Sequence, residues 1–242
     1  MVSIIFPLFK DEENFFLKKS LDQLKDESGI EVICVLNEKD STTTHLLNQY
    51  DFVKVIPTSF TARGKKLEVG IQNSTGETIL LHHPRSFLAP EAIHLLKKNP
   101  TTWGGFTHTF DLKHPLLGFT SFYSNFIRGD LRGIYYLDHC LYGPRELFLK
   151  ILPLPDVSIF EDTIICMRLL THSKNYKRLN PKSTTSAIRF KKNGVFKQAL
   201  LNQKLKYQFL RGSDLNKMNE QYEKGCELNN SYSLGQSRKR QD

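Results

Sequence analysis

No run of about 18 apolar residues occurs in this 242-residue chain, so no segment reads as a membrane span. No basic region precedes the short apolar run of the N-terminus, MVSIIFPLFK, which reads as a first strand rather than a signal peptide. Cysteine is scarce. Cys34, Cys140, Cys166 and Cys226 form no C-x-x-C pair, which argues against a zinc centre. Scattered thiols in apolar segments suit a reducing compartment, so the cytoplasm is the expected location. Acid is missing from Thr163 to Ser213, while the whole chain carries a formal charge of +9. That stretch holds Lys174, Lys177, Arg178, Arg189, Lys197, Lys204 and Arg211 among its cations. It would draw a nucleotide diphosphate, an anionic membrane surface at the inner face, or nucleic acid. A solvated charged face explains it equally well. No nucleic-acid recognition motif accompanies it, so nucleic acid is the weakest of these partners.

What is present is ordinary for a folded domain. Apolar residues make up 39% and charged residues 24% of the chain, enough for one domain with a substantial core. The expected order begins with a buried strand over 2–7, closed by Pro7. A helix follows, with apolar residues from Phe15 to Leu24. A second strand runs over 31–36, a polar loop over 37–44, a helix over 45–50, and a third strand over 52–56, ended by Pro57. Strands alternating with helices imply parallel β-α-β units with right-handed crossovers. The folded domain is expected over 1–212. Residues 213–242 have few large aliphatics and read as a disordered tail.

The middle of the chain is the most informative. In TARGKKLEVGIQNSTGETILLHHPRSFLAP (61–90), Leu67, Gly70 and Ile71 share a helical face, and Ser74-Thr75-Gly76-Glu77 breaks the helix. Thr78-Ile79-Leu80-Leu81 is then a buried strand that stops at His82-His83-Pro84-Arg85, because Pro84 cannot donate to a ladder. Polar residues at the C-terminal end of such a strand sit where open α/β sheets place ligands. Further on, Glu161-Asp162 open an apolar helix. Acids there suit a helix N-terminus through the dipole, or one of them is a general base. Residues 115–136 are rich in aromatics and read either as a core helix and loop or as a partly exposed surface facing a lipid-linked acceptor or a partner. Gly194–Arg211 reads as a helix with Lys197, Lys204 and Arg211 on nearly one face, either a wet face or a rest for an anionic membrane.

The A-R-G-x-x-L-x-x-G and G-E-x-I-L-L blocks of 61–90 resemble the nucleotide-sugar-dependent glycosyltransferases of family two, which have the A-type transferase fold. So do S-I-I-x-P-x-x-x-D-E-x-N at the start and T-S-A-I-R-F at 185–190. The order of blocks is closest to a bacterial branch of cell-wall and surface-polysaccharide transferases. The resemblance covers about residues 2–212. It implies an α/β fold with a Rossmann-like, mostly parallel central sheet flanked by helices. It also implies transfer of a sugar, with inversion, from a nucleotide-sugar donor to a glycan or lipid-linked acceptor. Carried over residue by residue, it puts Asp162 as the base with Glu161 beside it. Pro7, Phe9, Asp11 and Asn37 fall by the nucleotide, and Arg63, Lys65, Arg85 and Arg189 on its diphosphate. Asp138 and His139 fall on the acceptor side.

Three donor-side positions depart from the pattern. Leu36 replaces the base-reading Asp, Glu68 replaces a usual Asn, and Pro84 replaces the Asp that holds a divalent metal, magnesium or manganese. For a metal to bind, His82 or His83 must stand in as ligand. Otherwise the arginines must hold the diphosphate alone. An inactive member of the fold that binds a nucleotide, a glycan or a partner protein stays open as the alternative.

Overall fold

The computed structural model describes residues 1–9, 14–98 and 100–224. β1 (Val2–Pro7) is fully buried, with Ile4 and Phe6 facing one side of the sheet and Ile5 the other. That alternation follows from the two-residue period of a strand, and burial on both faces explains why β1 reads as a continuous apolar run. β2 (Ile30–Asn37), β3 (Val53–Thr58) and β4 (Thr78–Leu81) join it in parallel through α1 (Asn14–Leu24), α2 (Ser41–Leu47) and α3 (Arg63–Gln72).

The second half adds β5 (Ser86–Leu88), α4 (Glu91–Lys97), β6 (Trp103–Phe110) and α5 (Pro115–Phe122). The chain continues with β7 (Leu141–Pro144), α6 (Arg145–Lys150), α7 (Glu161–His172) and β8 (Tyr176–Thr185). α8 (Ile188–Asn193), α9 (Val195–Leu210) and α10 (Leu215–Glu223) complete the described chain. The eight described strands form one sheet in the order β3-β2-β1-β4-β7-β6-β8-β5. β6 and β8 are parallel, while β7 runs antiparallel to both β4 and β6, and β5 antiparallel to β8. The sheet is therefore mostly parallel and flanked by helices, as expected.

One face is closed by α1 and α4, through Leu17, Leu21, Ile93 and Leu96. The other is closed by α3, α6 and α7, through Leu67, Ile71, Phe148, Ile165 and Leu169. Each such side chain contributes roughly 1.5–3 kcal/mol by leaving water. Gly70 lets α3 lie against β1, since a Cβ there would come within 2.3 Å of Ile5.

Four expectations need correction. Pro57 lies inside β3 rather than ending it. β3 is the edge strand, so the missing N–H deprives no neighbour. α2 begins at Ser41 because the Asp40 side chain accepts from Thr43 N at 3.0 Å, a cap inside what reads as loop. β8, a long polar-looking strand, was not foreseen; between β6 and β5 its Pro181, Ser183 and Thr185 are buried, while Lys177, Asn180 and Lys182 face out. The folded body also passes residue 212. α10 docks on α9 through Met218, which packs with Leu205 and Ile159. Residues 225–242, the rest of the expected tail, lie outside the described residues.

Candidate functional site

The C-terminal ends of β4 and β8, the start of α7 and the inner sides of α8 and α9 enclose a cleft of about 180 Å³. Its lining carries Arg63, Arg85, Arg128, Arg189 and Lys206 against Asp138, Glu161 and Asp162. The excess of cations in a walled space favours an anionic occupant. Tyr136, Phe110, Phe160, Phe190 and Tyr222 supply flat apolar surfaces between the charges.

Asp162 stands at the first turn of α7. Its Oδ2 accepts from Leu137 N at 2.8 Å, and its Oδ1 accepts from Thr163 N at 2.6 Å. Burial and then the neighbouring Glu161 push its carboxyl up to about 7, against the Leu137 N–H, Arg128 and Arg63, which hold it back. A carboxyl near 7 is half ionised at neutral pH, which suits a general base. Glu161 is buried and accepts from Arg63 Nη1 at 2.7 Å. That bond ties the start of α7 to the start of α3. Phe160, which precedes them, is left-handed at φ 58° and stacks on Phe209 of α9 at 4.5 Å. The helix start that carries the two acids is thus fixed from both sides.

Asp138 keeps about a third of its side chain open to the cleft. Burial of its surroundings raises its carboxyl, and Arg85, Arg63, Arg128 and Arg189 oppose the rise. Arg189 reaches Glu223 Oε1 of α10 at 2.5 Å and Tyr222 O at 3.1 Å, with its guanidinium over the Tyr222 ring.

Of the residues expected at a site, Arg63, His83, Arg85, Asp138, Glu161, Asp162 and Arg189 come together on this cleft. Others stand elsewhere. His139 has no exposure. Its Nδ1 is 2.9 Å from Phe106 O and its Nε2 is 2.8 Å from Ser124 Oγ, so both nitrogens are spent in the core. Asn37 turns its Oδ1 to Lys39 N at 3.0 Å. Lys65 pairs with Glu68, which also accepts from Leu154 N, so Glu68 anchors the 152–158 loop. Pro7 and Phe9 are buried away from the cleft lining, and Lys66 lies over the Phe9 ring while donating to Leu8 O at 2.6 Å. Asp11 lies outside the described residues.

The histidines do not form a cation site. His82 is buried, stacks on Phe6 at 4.5 Å, and is absent from the cleft wall; its Nδ1 donates to His83 O. His83 Nδ1 accepts from Arg85 N at 3.0 Å, so its remaining nitrogen carries the proton and offers no lone pair. Burial, then Arg85, Arg63, His82 and Arg189, hold His83 well below its ordinary pKa. Four guanidinium groups around Asp138, those of Arg63, Arg85, Arg128 and Arg189, are a poor setting for a divalent cation. Among the described residues no cluster of three His, Cys, Asp or Glu could hold one.

Arg128, Tyr136, His108 and Lys206 also line the cleft, and the sequence reading passed over them. Arg128 sits on a wide helical turn, Tyr123–Asp130, where Leu131 N reaches back five residues to Phe126 O. Such turns re-aim side chains. A charged side chain in the middle of an aromatic, core-like segment was the available signal.

No family model and no curated protein matches the chain. Solved structures do. Crystal structure of S. aureus TarS 1-349 in complex with UDP-GlcNAc aligns with TM-score 0.59 at 15% identity, over 76% of this chain and 58% of that one. Mannosyltransferase PcManGT from Pyrobaculum calidifontis, in complex with GDP-Man and Mn2+, aligns with TM-score 0.59 at 14% identity, over 84% and 60%. A further S. aureus TarS structure aligns with TM-score 0.60 at 14% identity, over 97% and 44%. The chain thus spans three-fifths or less of the solved chains it matches. The likeness shows an A-type glycosyltransferase fold.

Proposed function

We propose that the cleft binds the diphosphate and sugar of a nucleotide-sugar donor and transfers the sugar, with inversion, to a hydroxyl of a glycan or lipid-linked acceptor. The observation that carries this reading is Asp162, a carboxyl raised to about 7 in a cleft that also holds Arg63, Arg85, Arg128 and Arg189. As the acceptor oxygen attacks the anomeric carbon, its proton passes to Asp162. The bond to the diphosphate breaks on the opposite face and leaves its charge on the leaving group. Arg63, Arg85 and Arg189 are the groups placed to receive that charge. No step is routed through a metal, because the donor set does not fit one. TarS with UDP-GlcNAc and PcManGT with GDP-Man support the donor class.

A second reading has one observation in its favour. Lys66 and Phe9 are packed together at the end of β1, where the resemblance puts the nucleotide base. A chain that binds an anionic glycan in the cleft without transferring sugar would need no base site.

Calorimetric titration with UDP, GDP, CDP and dTDP, each with manganese and with EDTA, separates the two. Binding of one of them that is lost in Arg85→Met supports the transfer reading. No binding of any of the four gives the cleft to the second.

A further inference from the structure

α9 is apolar on both sides. Its inner side packs Leu205 against Ile159 and Met218. Its outer side shows Phe196 at 70% exposure, Leu200 at 72%, Tyr207 at 55% and Leu210 at 82%. Those four lie within one narrow stripe of a 3.6-residue helix, and core packing does not account for them. The neighbouring α5 and the wide turn after it leave a second outward stripe, Phe119, Phe122 and Phe126, at i, i+3 and i+7. The two elements are adjacent: His114 meets Phe196 at 6.0 Å, and Leu117 packs with Val195 and Ala199. A soluble surface rarely leaves this much contiguous apolar area without a partner.

Charge selects the partner. Lys197 and Lys204 border the stripe on α9, and neither takes part in the ion pairs formed among the described residues. Arg211 follows two turns after Lys204, beside the Tyr207 ring. No Asp or Glu occurs on α9, nor from Leu112 to Gly129. Apposing two copies of such a face would set lysine against lysine. An anionic bilayer surface takes both features at once: aromatic and leucine side chains enter the acyl boundary, and the lysines reach the headgroups. Among the described residues no helix is long and apolar enough to cross a membrane, so the contact lies in the interface plane.

We propose that the outward face of α5 and α9 docks this protein on an anionic lipid surface. Thr120 and Ser124 on the first element, and Asn202 and Lys206 on the second, line the cleft, so the docked face borders its mouth. The docking does not depend on the transfer reaction and is read without any sugar nucleotide.

The test is flotation of the full chain with vesicles of phosphatidylglycerol and phosphatidylcholine, against vesicles of phosphatidylcholine alone. The chain is expected to float with the anionic vesicles at low salt and to be released at high salt. Lys197→Gln with Lys204→Gln should weaken binding about fivefold per lysine. Phe196→Ser with Leu200→Ser should weaken it by at least about tenfold, with the thermal transition unmoved because both side chains are exposed. Failure to float at low salt, equal flotation with uncharged vesicles, or variants that float like the parent would each overturn the proposal. So would a dimer seen by sedimentation that Phe196→Ser with Leu200→Ser dissolves, in a chain that ignores vesicles; that result gives the face to a second copy.

Discussion

Arg63 Nη1 lies 2.7 Å from Glu161 Oε1, joining residues 98 positions apart at the starts of two helices. Glu161 in turn raises the carboxyl of Asp162 beside it. The pair therefore has two measurable consequences. Glu161→Gln replaces this buried ion pair by a neutral hydrogen bond and should cost about 1–3 kcal/mol in denaturant unfolding. It also removes a neighbouring negative charge, so Asp162 should titrate below 7. Carbon-13 NMR of the Asp162 carboxyl, or the acid limb of the pH–rate profile, should move to lower pH. A limb that stayed near 7 would mean that burial alone sets it.

Asp162→Asn should remove transfer by a factor of roughly 10²–10⁴ while the fold survives. Its effect on stability has a definite sign. The folded carboxyl keeps its proton up to about pH 7, whereas the unfolded one loses it near the ordinary value of 3.8. Between those values the native state binds the extra proton, so this group's contribution falls as pH rises. Asparagine does not titrate. The variant should therefore gain on the parent steadily as pH rises from 4 to 8. Paired denaturation curves at the two pH values check this, and a pH-independent difference would contradict the raised carboxyl.

Nucleotide diphosphate binding should survive EDTA. The resemblance to metal-using transferases placed a carboxylate where Pro84 stands, and left His82 and His83 as replacements. The fold uses His82 against Phe6 and spends the His83 lone pair on Arg85 N. Affinity that rose more than about tenfold with manganese would show a cation site the histidine geometry does not offer.

Much of this was legible in the sequence. The continuous apolar runs of β1, β2 and β4 fixed the parallel half of the sheet, because strands buried on both faces have no polar alternation to confuse the reading. The A-R-G block, which opens α3, and the Glu161-Asp162 pair, which opens α7, meet in space through Arg63 and Glu161. What stayed hidden depended on distance. His139 looked like a cleft residue beside Asp138, yet the left-handed turn at Cys140 follows it and its ring goes inward to Phe106 O and Ser124. Arg128 looked like a stray charge in an aromatic helix until the wide turn aimed it at the cleft. β8 was missed because exposed Lys177, Asn180 and Lys182 and half-buried Arg178 leave it without an apolar run, and its buried positions hold Pro181, Ser183 and Thr185.

Gly64 shows the same limit from the other side. The glycine of A-R-G was readable as a motif, but its reason is tertiary. Gly64 N donates to Val157 O at 3.1 Å, and a Cβ would stand 2.3 Å from Pro155 O. Gly64→Ala must push the 155–157 backbone off the start of α3. It should cost about 1–3 kcal/mol and weaken nucleotide binding, since Ser158 and Ile159 of the cleft follow that segment directly. Unchanged affinity would show that the loop can shift without disturbing the cleft.

The last prediction concerns Arg189, the guanidinium placed to receive a leaving diphosphate. It is held by Glu223 at 2.5 Å and by Tyr222 O at 3.1 Å, both from α10. A carboxylate on that guanidinium is chemically a stand-in for a phosphate oxygen, because both are planar-matched anionic acceptors for an arginine fork. If the diphosphate uses Arg189, it must compete with Glu223. Glu223→Gln removes the competing charge but keeps the shape. Nucleotide diphosphate affinity should then rise several-fold, while α10 loses part of its hold and the melting temperature falls. If Arg189 only anchors α10, the melting temperature falls and affinity stays where it was. Arg189→Met distinguishes the cases again: it should lower affinity in the first and leave it unchanged in the second. Calorimetry on the two variants, with thermal melts alongside, reads whether one arginine serves both the fold and the ligand.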